Sequence, residues 1–225
     1  TGQAFDIKVL TEAAHSVGAY AGFDCAHAAG NIKMALHDWN VDFAAWCTYK
    51  YLNSSPGGVS GVFVHQKHGN NPDTPRLAGW WGHKESERFQ MKKGFIPEPG
   101  AAGWQLSNAP VLAMAAHKAS LDMFDEVGMD ALVAKGKLLN TFLEHVVMDA
   151  QASNDKLEFE IITPAERGCQ LSMLTNENGK ALFDYLTERD VIADWRQPNV
   201  IRLAPVPMYN SFMDVWEFGE LLKGF

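Results

Sequence analysis

The spacing of apolar residues divides the first part of the chain into a helix followed by three strands. Apolar residues recur every three or four positions between residues 9 and 17, which predicts a helix that ends at Gly18. Short, almost continuously apolar runs then predict strands at 19–23, at 41–47 and near 59–64. Buried strands that alternate with helices or crossovers are typical of an α/β fold, whose parallel or mixed sheet is covered on both faces.

The middle of the chain changes from irregular sequence to long helices. Residues 66–107 show little regular pattern, and a long irregular stretch inside a compact protein is usually functional or part of an interface. Helices are predicted at about 110–127 and at 129–149, and Asn108 is expected to be the N-cap of the first of them, just before Pro110.

The last part of the chain, after a polar linker at 151–156, has the pattern of a small α+β domain. The predicted strands lie near 159–162, 170–174, 191–195 and 200–203, and the predicted helices lie near 180–189 and 212–222. The sequence has no internal repeat and no low-complexity segment.

Composition and charge argue against several classes of function. The apolar fraction of 47% is ample for a packed core. A net charge of -8 argues against nucleic acid and anionic membrane surfaces as partners. No apolar run approaches the roughly 18 residues of a membrane span. Three widely separated cysteines predict reduced thiols and a cytoplasmic location, and the eight histidines show no metal-ligand spacing.

Two of the predicted strands end near residues with useful chemistry. Asp24 follows the strand at 19–23, with His27 just beyond it, and Lys50 follows the strand at 41–47 and precedes a Gly/Pro-rich turn. Ligands in open α/β sheets bind at the carboxyl ends of strands, where Asp24 and Lys50 both fall. Pyridoxal phosphate needs an amine for a Schiff base and a carboxylate that keeps its pyridine nitrogen protonated, so this pair of residues suits that cofactor.

Each of these residues also has a plain structural explanation. A lysine after a strand is usually a solvated surface residue, an aspartate there often caps a turn, and a histidine is more often simply part of the core. The aromatic neighbours of Lys50, Tyr49 and Tyr51, favour a desolvated amine, as a Schiff-base lysine requires. Arg202 lies in an apolar strand and is either part of a structural ion pair or a ligand for a substrate carboxylate.

Seven dispersed motifs resemble the kynureninase family, in order and over essentially the whole chain. They are residues 24–31 (DCAHAAGN), 37–39 with 41–43 (HDW and VDF), 49–53 (YKYLN), 79–83 (GWWGH), 107–108 (SN), 166–171 (ERGCQL) and 201–207 (IRLAPVP). The resemblance implies the aspartate-aminotransferase fold and pyridoxal phosphate as cofactor. It also implies the hydrolysis of L-kynurenine or 3-hydroxykynurenine to anthranilate or 3-hydroxyanthranilate and L-alanine, a reaction of tryptophan catabolism that leads toward NAD biosynthesis.

The resemblance implies roles for residues around the cofactor. Lys50 corresponds to the Schiff-base lysine and Asp24 to the partner of the pyridine nitrogen. His27 corresponds to a histidine beside the cofactor. Tyr49 corresponds to a ligand of the cofactor phosphate that has also been considered a proton donor.

The resemblance also implies roles on the substrate side and between subunits. Trp80 and Asn108 correspond to residues that reach the cofactor of the partner subunit in a homodimer with shared sites. His83 and Ser107 fall in the family's substrate-side region, and Arg202 corresponds to the arginine that binds the substrate α-carboxylate.

The same resemblance predicts the domain organisation. Residues 1–115 would be the C-terminal part of the cofactor-binding large domain, a mainly parallel sheet with helices on both faces, and residues 116–225 would be linking helices and a small α+β domain. The family's phosphate-binding loop and ring-stacking aromatic residue do not precede Thr1, so we expect the later part of a longer protein. Two alternatives stay open: another fold-type-I pyridoxal enzyme, such as a cysteine desulfurase relative, and an inactive fragment that only dimerises or binds a partner.

Overall fold

The computed structural model describes all residues from Thr1 to Phe225 and divides them into two compact units. We call one the Lys50 unit, which comprises Asp6–Gly30 and Met34–Glu126. The Arg202 unit comprises Thr1–Phe5, Asn31–Lys33 and Val127–Phe225. None of the helices combines the length and apolar character that crossing a membrane requires.

The Lys50 unit contains three strands, short helices in its irregular region and one long helix. In chain order its elements are α1 (Ile7–Ser16), β1 (Gly22–Asp24), β2 (Phe43–Cys47), β3 (Ser60–Val64), α2 (Gln66–Gly69), α3 (Glu85–Arg88), a 3-10 helix (Gly100–Trp104) and α4 (Val111–Val127), which ends at the unit boundary.

The sheet of this unit has mixed pairing. β1 is parallel to β2 and β2 is antiparallel to β3, so β1 and β2 end at the same edge. Side chains alternate between the two faces. Ala44 is fully buried in a cluster with Ile7 and Val41, whereas Phe43 and Val62 on the opposite face are each 52% exposed. In this chain one face of the sheet is therefore covered, and the other face is uncovered.

Three details of the Lys50 unit correct the sequence predictions. β1 begins at Gly22 rather than at residue 19, because only Gly22–Asp24 pairs with β2, and Asp24 becomes the last residue of the strand. Residues 66–107 hold short helices, not only irregular chain. Asn108 does not cap α4, since the C=O of Pro110 accepts the N–H of Met114 at 3.0 Å and the helix starts at Val111.

The Arg202 unit packs helices on an antiparallel sheet. Its elements are α5 (Met129–Ser153), β4 (Phe159–Ile161), β5 (Leu171–Thr175), α6 (Gly179–Thr187), β6 (Asp194–Arg196), β7 (Val200–Leu203) and α7 (Phe212–Lys223), and the strand order is β4-β5-β7-β6. Leu139 of α5, Leu171 and Met173 of β5, Ile201 of β7 and Leu222 of α7 are all fully buried in one core.

Two predicted elements of the Arg202 unit have different bounds. α5 extends to Ser153 into the predicted linker. β6 covers Asp194–Arg196 rather than 191–195, because only these residues pair with β7 and Ile192 is fully exposed. The start of α7 follows its sequence closely, since the Ser211 side chain accepts from the Asp214 N–H and the Asp214 carboxylate accepts from the Ser211 N–H.

Candidate active site

Lys50 lies at the edge of the sheet where β1 and β2 both end. The residue follows the end of β2 by three positions and is half-buried. Its Nζ lies 3.0 Å from Nε2 of His27, which belongs to the turn after β1. The same Nζ lies 5.9 Å from the centre of the Tyr49 ring. The parallel pairing of the two strands therefore brings together an amine and an imidazole that are 23 residues apart in the chain.

Asp24 closes β1 at the same edge. Its register partner in β2 is Ala45, and both residues are exposed on the uncovered face of the sheet. One carboxylate oxygen, Oδ1, accepts the N–H of Ala26 at 2.8 Å. Asp24 thus does cap the following turn, as the structural explanation predicted, and its side chain also faces the open side of the sheet. A planar ring could approach the carboxylate there, because the neighbouring Ala45 side chain is small.

Tyr49 precedes the lysine and projects into solvent. Its side chain is 52% exposed. A hydrogen bond with the Cys47 side chain and the nearby Cys47 charge raise the pKa of Tyr49 above its ordinary value of 10.0. A raised pKa keeps the phenol protonated at neutral pH, so its O–H remains a hydrogen-bond donor for an anion.

The glycine-flanked aromatic loop exposes both of its tryptophans, and an arginine stacks on one of them. Arg88 fixes Trp81, since its guanidinium stacks 4.3 Å from the ring and donates to the Trp81 carbonyl at 2.8 Å. Trp80 is 43% exposed and touches Phe89 edge to face. His83 is engaged locally, because its Nδ1 accepts the N–H of Ile96 at 3.1 Å. The loop therefore presents Trp80 outward on a backbone that is well fixed.

Ser107 and Asn108 lie together before α4. Both are exposed and line a surface groove of about 530 Å³ beside β3. Val62 of the uncovered sheet face lines the same groove. The structure thus brings Ser107 and Asn108 to one groove of the Lys50 unit, and neither Trp80 nor His83 lines it.

Arg202 belongs to the other unit and lies within β7. It pairs in register with Asp194 of β6, and its Nη2 forms an ion pair with that carboxylate. The same carboxylate accepts a hydrogen bond from the Nε–H of Arg196 at 2.9 Å. Nε of Arg202 is buried without a partner, although the side chain as a whole is 26% exposed. The structural ion pair is therefore present, and the guanidinium still has donors for a second anion.

Asp42 is a charged site that the apolar pattern of the chain does not predict. The run at 41–47 predicts a strand through this position, but Asp42 lies just before β2 and its side chain is only 2% exposed. The carboxylate accepts from His15 at 2.8 Å, from His68 at 2.6 Å and from the Ala21 N–H at 2.6 Å, and it pairs with Lys67 at 2.8 Å. An acid inside an apolar run was the available signal, since a buried charge needs partners.

These partners determine the ionisation of Asp42. Burial by itself would raise its pKa, but the hydrogen bonds from His68, Lys67, the Ala21 backbone and His15 together hold it well below the ordinary value of 3.8. Asp42 is consequently a carboxylate at all ordinary pH values, and it joins α1 and α2 to the sheet.

Two family models match the chain. The model for class-V aminotransferases matches residues 1–153, and the model for the kynureninase C-terminal domain matches residues 132–222. Among curated proteins, the kynureninase of Flavobacterium johnsoniae is 57% identical over 99% of this chain and 53% of its own length. The kynureninase of Xanthomonas euvesicatoria is 51% identical over 99% of this chain and 53% of its own length. The chain spans about half the length of these relatives.

Solved structures share the fold at low sequence identity. The cysteine desulfurase CsdA from Escherichia coli has a TM-score of 0.78 and 17% identity, over 100% of this chain and 56% of its own chain. The cysteine desulfurase from Thermococcus onnurineus has a TM-score of 0.76 and 12% identity, over 99% of this chain and 56% of its own. The predicted α/β fold of the aminotransferase type is confirmed, whereas the roles of the individual site residues stay predictions.

Proposed function

We propose, from the premise that the chain belongs to the class-V aminotransferase family, that it forms part of a pyridoxal-phosphate-dependent enzyme that hydrolyses L-kynurenine, 3-hydroxykynurenine or both. The products would be anthranilate or 3-hydroxyanthranilate and L-alanine. The observation that carries the proposal is the meeting of Asp24, His27 and Lys50 at one sheet edge, in a chain 57% identical to a kynureninase.

The residues at this edge fit the cofactor. Lys50 would hold it through Nζ, Asp24 would face the ring nitrogen, His27 would lie beside the ring and Tyr49 would donate its O–H to the phosphate. When bound, pyridoxal phosphate supplies an electron-withdrawing ring that stabilises negative charge developing on the substrate. The partner of Lys50 is an imidazole rather than a carboxylate, which supports a role as a reactive amine.

The side chains of this chain divide the remaining work. Lys50 Nζ, when released from the cofactor, takes the proton from the substrate Cα as a general base. Arg202 binds the substrate α-carboxylate through its planar fork of N–H donors and orients the substrate. His83 and Ser107 contribute on the substrate side.

A direct experiment tests the proposal. The purified protein is incubated with pyridoxal phosphate, reduced with borohydride and mapped by peptide mass spectrometry, and anthranilate release from L-kynurenine is followed by fluorescence. We expect the label on Lys50 and release of anthranilate, with 3-hydroxykynurenine as a parallel substrate. A label on another lysine would refute the assignment of Lys50. A label on Lys50 without product from either substrate would favour the alternative of an inactive fragment.

The cysteine desulfurase alternative has weaker support. That reaction needs an accessible thiolate as nucleophile. Burial and the nearby Asp24 charge raise the pKa of Cys25, and burial raises the pKa of Cys169 to about 11. Cys47 is half-buried. All three cysteines are free, and free thiols support a location in the cytoplasm. Release of sulfide from L-cysteine in the same assay would favour this alternative.

We extend the proposal to a homodimer whose sites use residues of both subunits. The outward position of Trp80 and the exposure of Asn108 support this arrangement. Mixing inactive Lys50→Ala protein with an inactive Trp80→Ala, Asn108→Ala variant should restore part of the activity in heterodimers. No recovery after demonstrated subunit exchange would count against shared sites.

A further inference from the structure

Two buried hydroxyls lie at the two ends of the loop that carries Lys50. Thr48 has no exposed surface and Ser54 is 1% exposed. The N–H of Ser54 donates to the Thr48 carbonyl at 3.0 Å, and the two hydroxyl oxygens lie 2.5 Å apart. Within the loop, the N–H of Asn53 donates to the Lys50 carbonyl at 3.0 Å. The loop is therefore closed at one place by both its main chain and its side chains.

The proton positions in this pair follow from chemistry. The Thr48 hydroxyl donates to the carbonyl of Val59, because a carbonyl can only accept. A hydroxyl has one proton, so the bond between the two hydroxyls must have Ser54 as donor and Thr48 as acceptor. Thr48 thus uses both its donor and its acceptor, and it connects the end of β2, the far end of the loop and the residue before β3.

The backbone around the loop is built to accommodate this closure. A Cβ on Gly58 would lie 2.1 Å from the Ser54 hydroxyl oxygen, so a larger residue there would displace that hydroxyl. On the outside, the Ser120 hydroxyl of α4 donates to the Leu52 carbonyl. A Cβ on Gly30 would come within 2.9 Å of the Tyr51 carbonyl oxygen. Each of these contacts restricts the segment that carries the amine.

We propose that Thr48 and Ser54 form a hydroxyl latch that positions Lys50 for its reaction with the cofactor carbonyl, an inference that rests on the proposed function. The latch holds the ends of a short loop, and this keeps Nζ within 3.0 Å of His27. Reactions between bound groups depend steeply on such placement, and a shift of about 1 Å can reduce a rate by about 100-fold. Thr48 and Ser54 are thus positioning residues, and neither needs to touch the cofactor.

The test compares graded changes at the latch. Thr48→Val removes both of the threonine's hydrogen bonds at nearly constant shape, Ser54→Ala removes one, and Thr48→Ser keeps both. Gly58→Ala displaces the Ser54 hydroxyl without altering either latch residue. Thr11→Val is the matched control, because Thr11 is 1% exposed and its hydroxyl donates to the Ile7 carbonyl at 2.7 Å within α1.

Three quantities are measured for each variant: the rate of pyridoxal labelling of Lys50 under borohydride, kcat and KM, and the midpoint of thermal unfolding. Thr48→Val should slow both labelling and kcat by about 10- to 100-fold with little change in KM. Ser54→Ala and Gly58→Ala should have smaller effects of the same kind. Thr48→Ser and Thr11→Val should keep the labelling rate and kcat of the unaltered protein.

Failures of the latch and of the proposed function are distinguishable. If the unaltered protein does not label at Lys50, the proposed function fails. If it labels, but Thr48→Val labels and turns over like Thr11→Val while both lower the unfolding midpoint, then the hydroxyls are merely structural and the latch is overturned. If Thr48→Val does not fold, Ser54→Ala and Gly58→Ala decide by the same criterion.

Discussion

Lys50 and Arg202 are the two cations to which we assign chemistry, and their surroundings are opposite. Arg202 lies in the middle of a strand, in register with Asp194, and its charge is balanced by that carboxylate. Lys50 lies on a loop beyond a strand, and its hydrogen-bond partner is the imidazole of His27. A carboxylate would stabilise the protonated amine, which cannot attack a carbonyl, whereas an arginine has to stay charged to bind an anion.

In this protein, therefore, we expect a cation that is paired with a carboxylate to stabilise the fold or to orient a ligand. We expect an amine without a carboxylate partner to take part in the reaction. Asp42 lies just before β2, whereas Lys50 lies just after it. The Asp42 carboxylate is paired with Lys67 and hydrogen-bonded to His15 and His68. If the distinction is correct, changes at Lys50 should alter chemistry at constant stability, and changes at Asp42 should do the reverse.

The largest effect is expected for Lys50→Arg. The variant keeps a cation in the loop but removes the amine that can become neutral, so activity should fall by at least about 10³-fold. The cofactor absorbance band and the borohydride label should disappear, while the unfolding midpoint changes little. Lys118→Arg on α4, a surface ion-pair residue, is the control. A Lys50→Arg protein that is labelled and active like the unaltered protein would show that Lys50 is not the reactive amine.

Asp42→Asn should act on stability instead. Removing the carboxylate leaves Lys67 without its counter-charge, and it removes an acceptor from His15, His68 and the Ala21 N–H. The Asp42 side chain is only 2% exposed, so we expect a cost of about 3 kcal/mol at pH 7. Because the folded pKa of Asp42 is lowered, its contribution is present above the ordinary value of 3.8 and is lost as pH falls below it. Urea unfolding of both proteins at neutral and acidic pH measures this, and the difference between them should shrink in acid.

A large fall in the kcat of Asp42→Asn, under conditions where the variant is still folded, would contradict the structural role of Asp42. It would mean that this cluster contributes to chemistry, and the separation between paired and reactive charges would not hold in the Lys50 unit.

Arg202→Lys should weaken substrate binding. The charge is kept but the planar fork is lost, so KM should rise by an amount equivalent to about 1.5–3 kcal/mol, the value of a hydrogen bond to a charged group. Steady-state kinetics and the cofactor spectrum are measured together, and the spectrum should not change. An altered spectrum or unfolding midpoint with a normal KM would mean that Arg202 serves only the ion pair with Asp194.

The smallest effect is expected for Asp194→Asn. The pair is partly exposed, so the loss of stability should be about 1 kcal/mol or less. The guanidinium of Arg202 loses its fixed orientation, and KM should rise several-fold with kcat nearly unchanged. Arg196→Gln, which removes the other cation on the same carboxylate, is the control and should leave KM unchanged. Equal KM values in the two variants would show that Asp194 does not orient Arg202.

Local pattern was sufficient for much of the fold. The spacing of apolar residues predicted β7 at residues 200–203 correctly and placed α7 to within one residue, because periodicity and capping depend on residues close in the chain. Strand-end reasoning placed Asp24 and Lys50 at one edge, and the parallel register of β1 with β2 agrees with that placement. The predicted identity of the family followed from dispersed motifs in the same order.

Only the tertiary structure determined the partners of the charged and hydroxyl groups. Asp42 meets His15 and His68 across 27 and 26 residues of sequence, and Arg202 meets Asp194 through strand register. The exposure of one sheet face likewise depends on which elements pack against it. Residue spacing encodes which side of an element is apolar, but hydrogen-bond partners depend on distances between elements, and these are decided by packing of the whole chain.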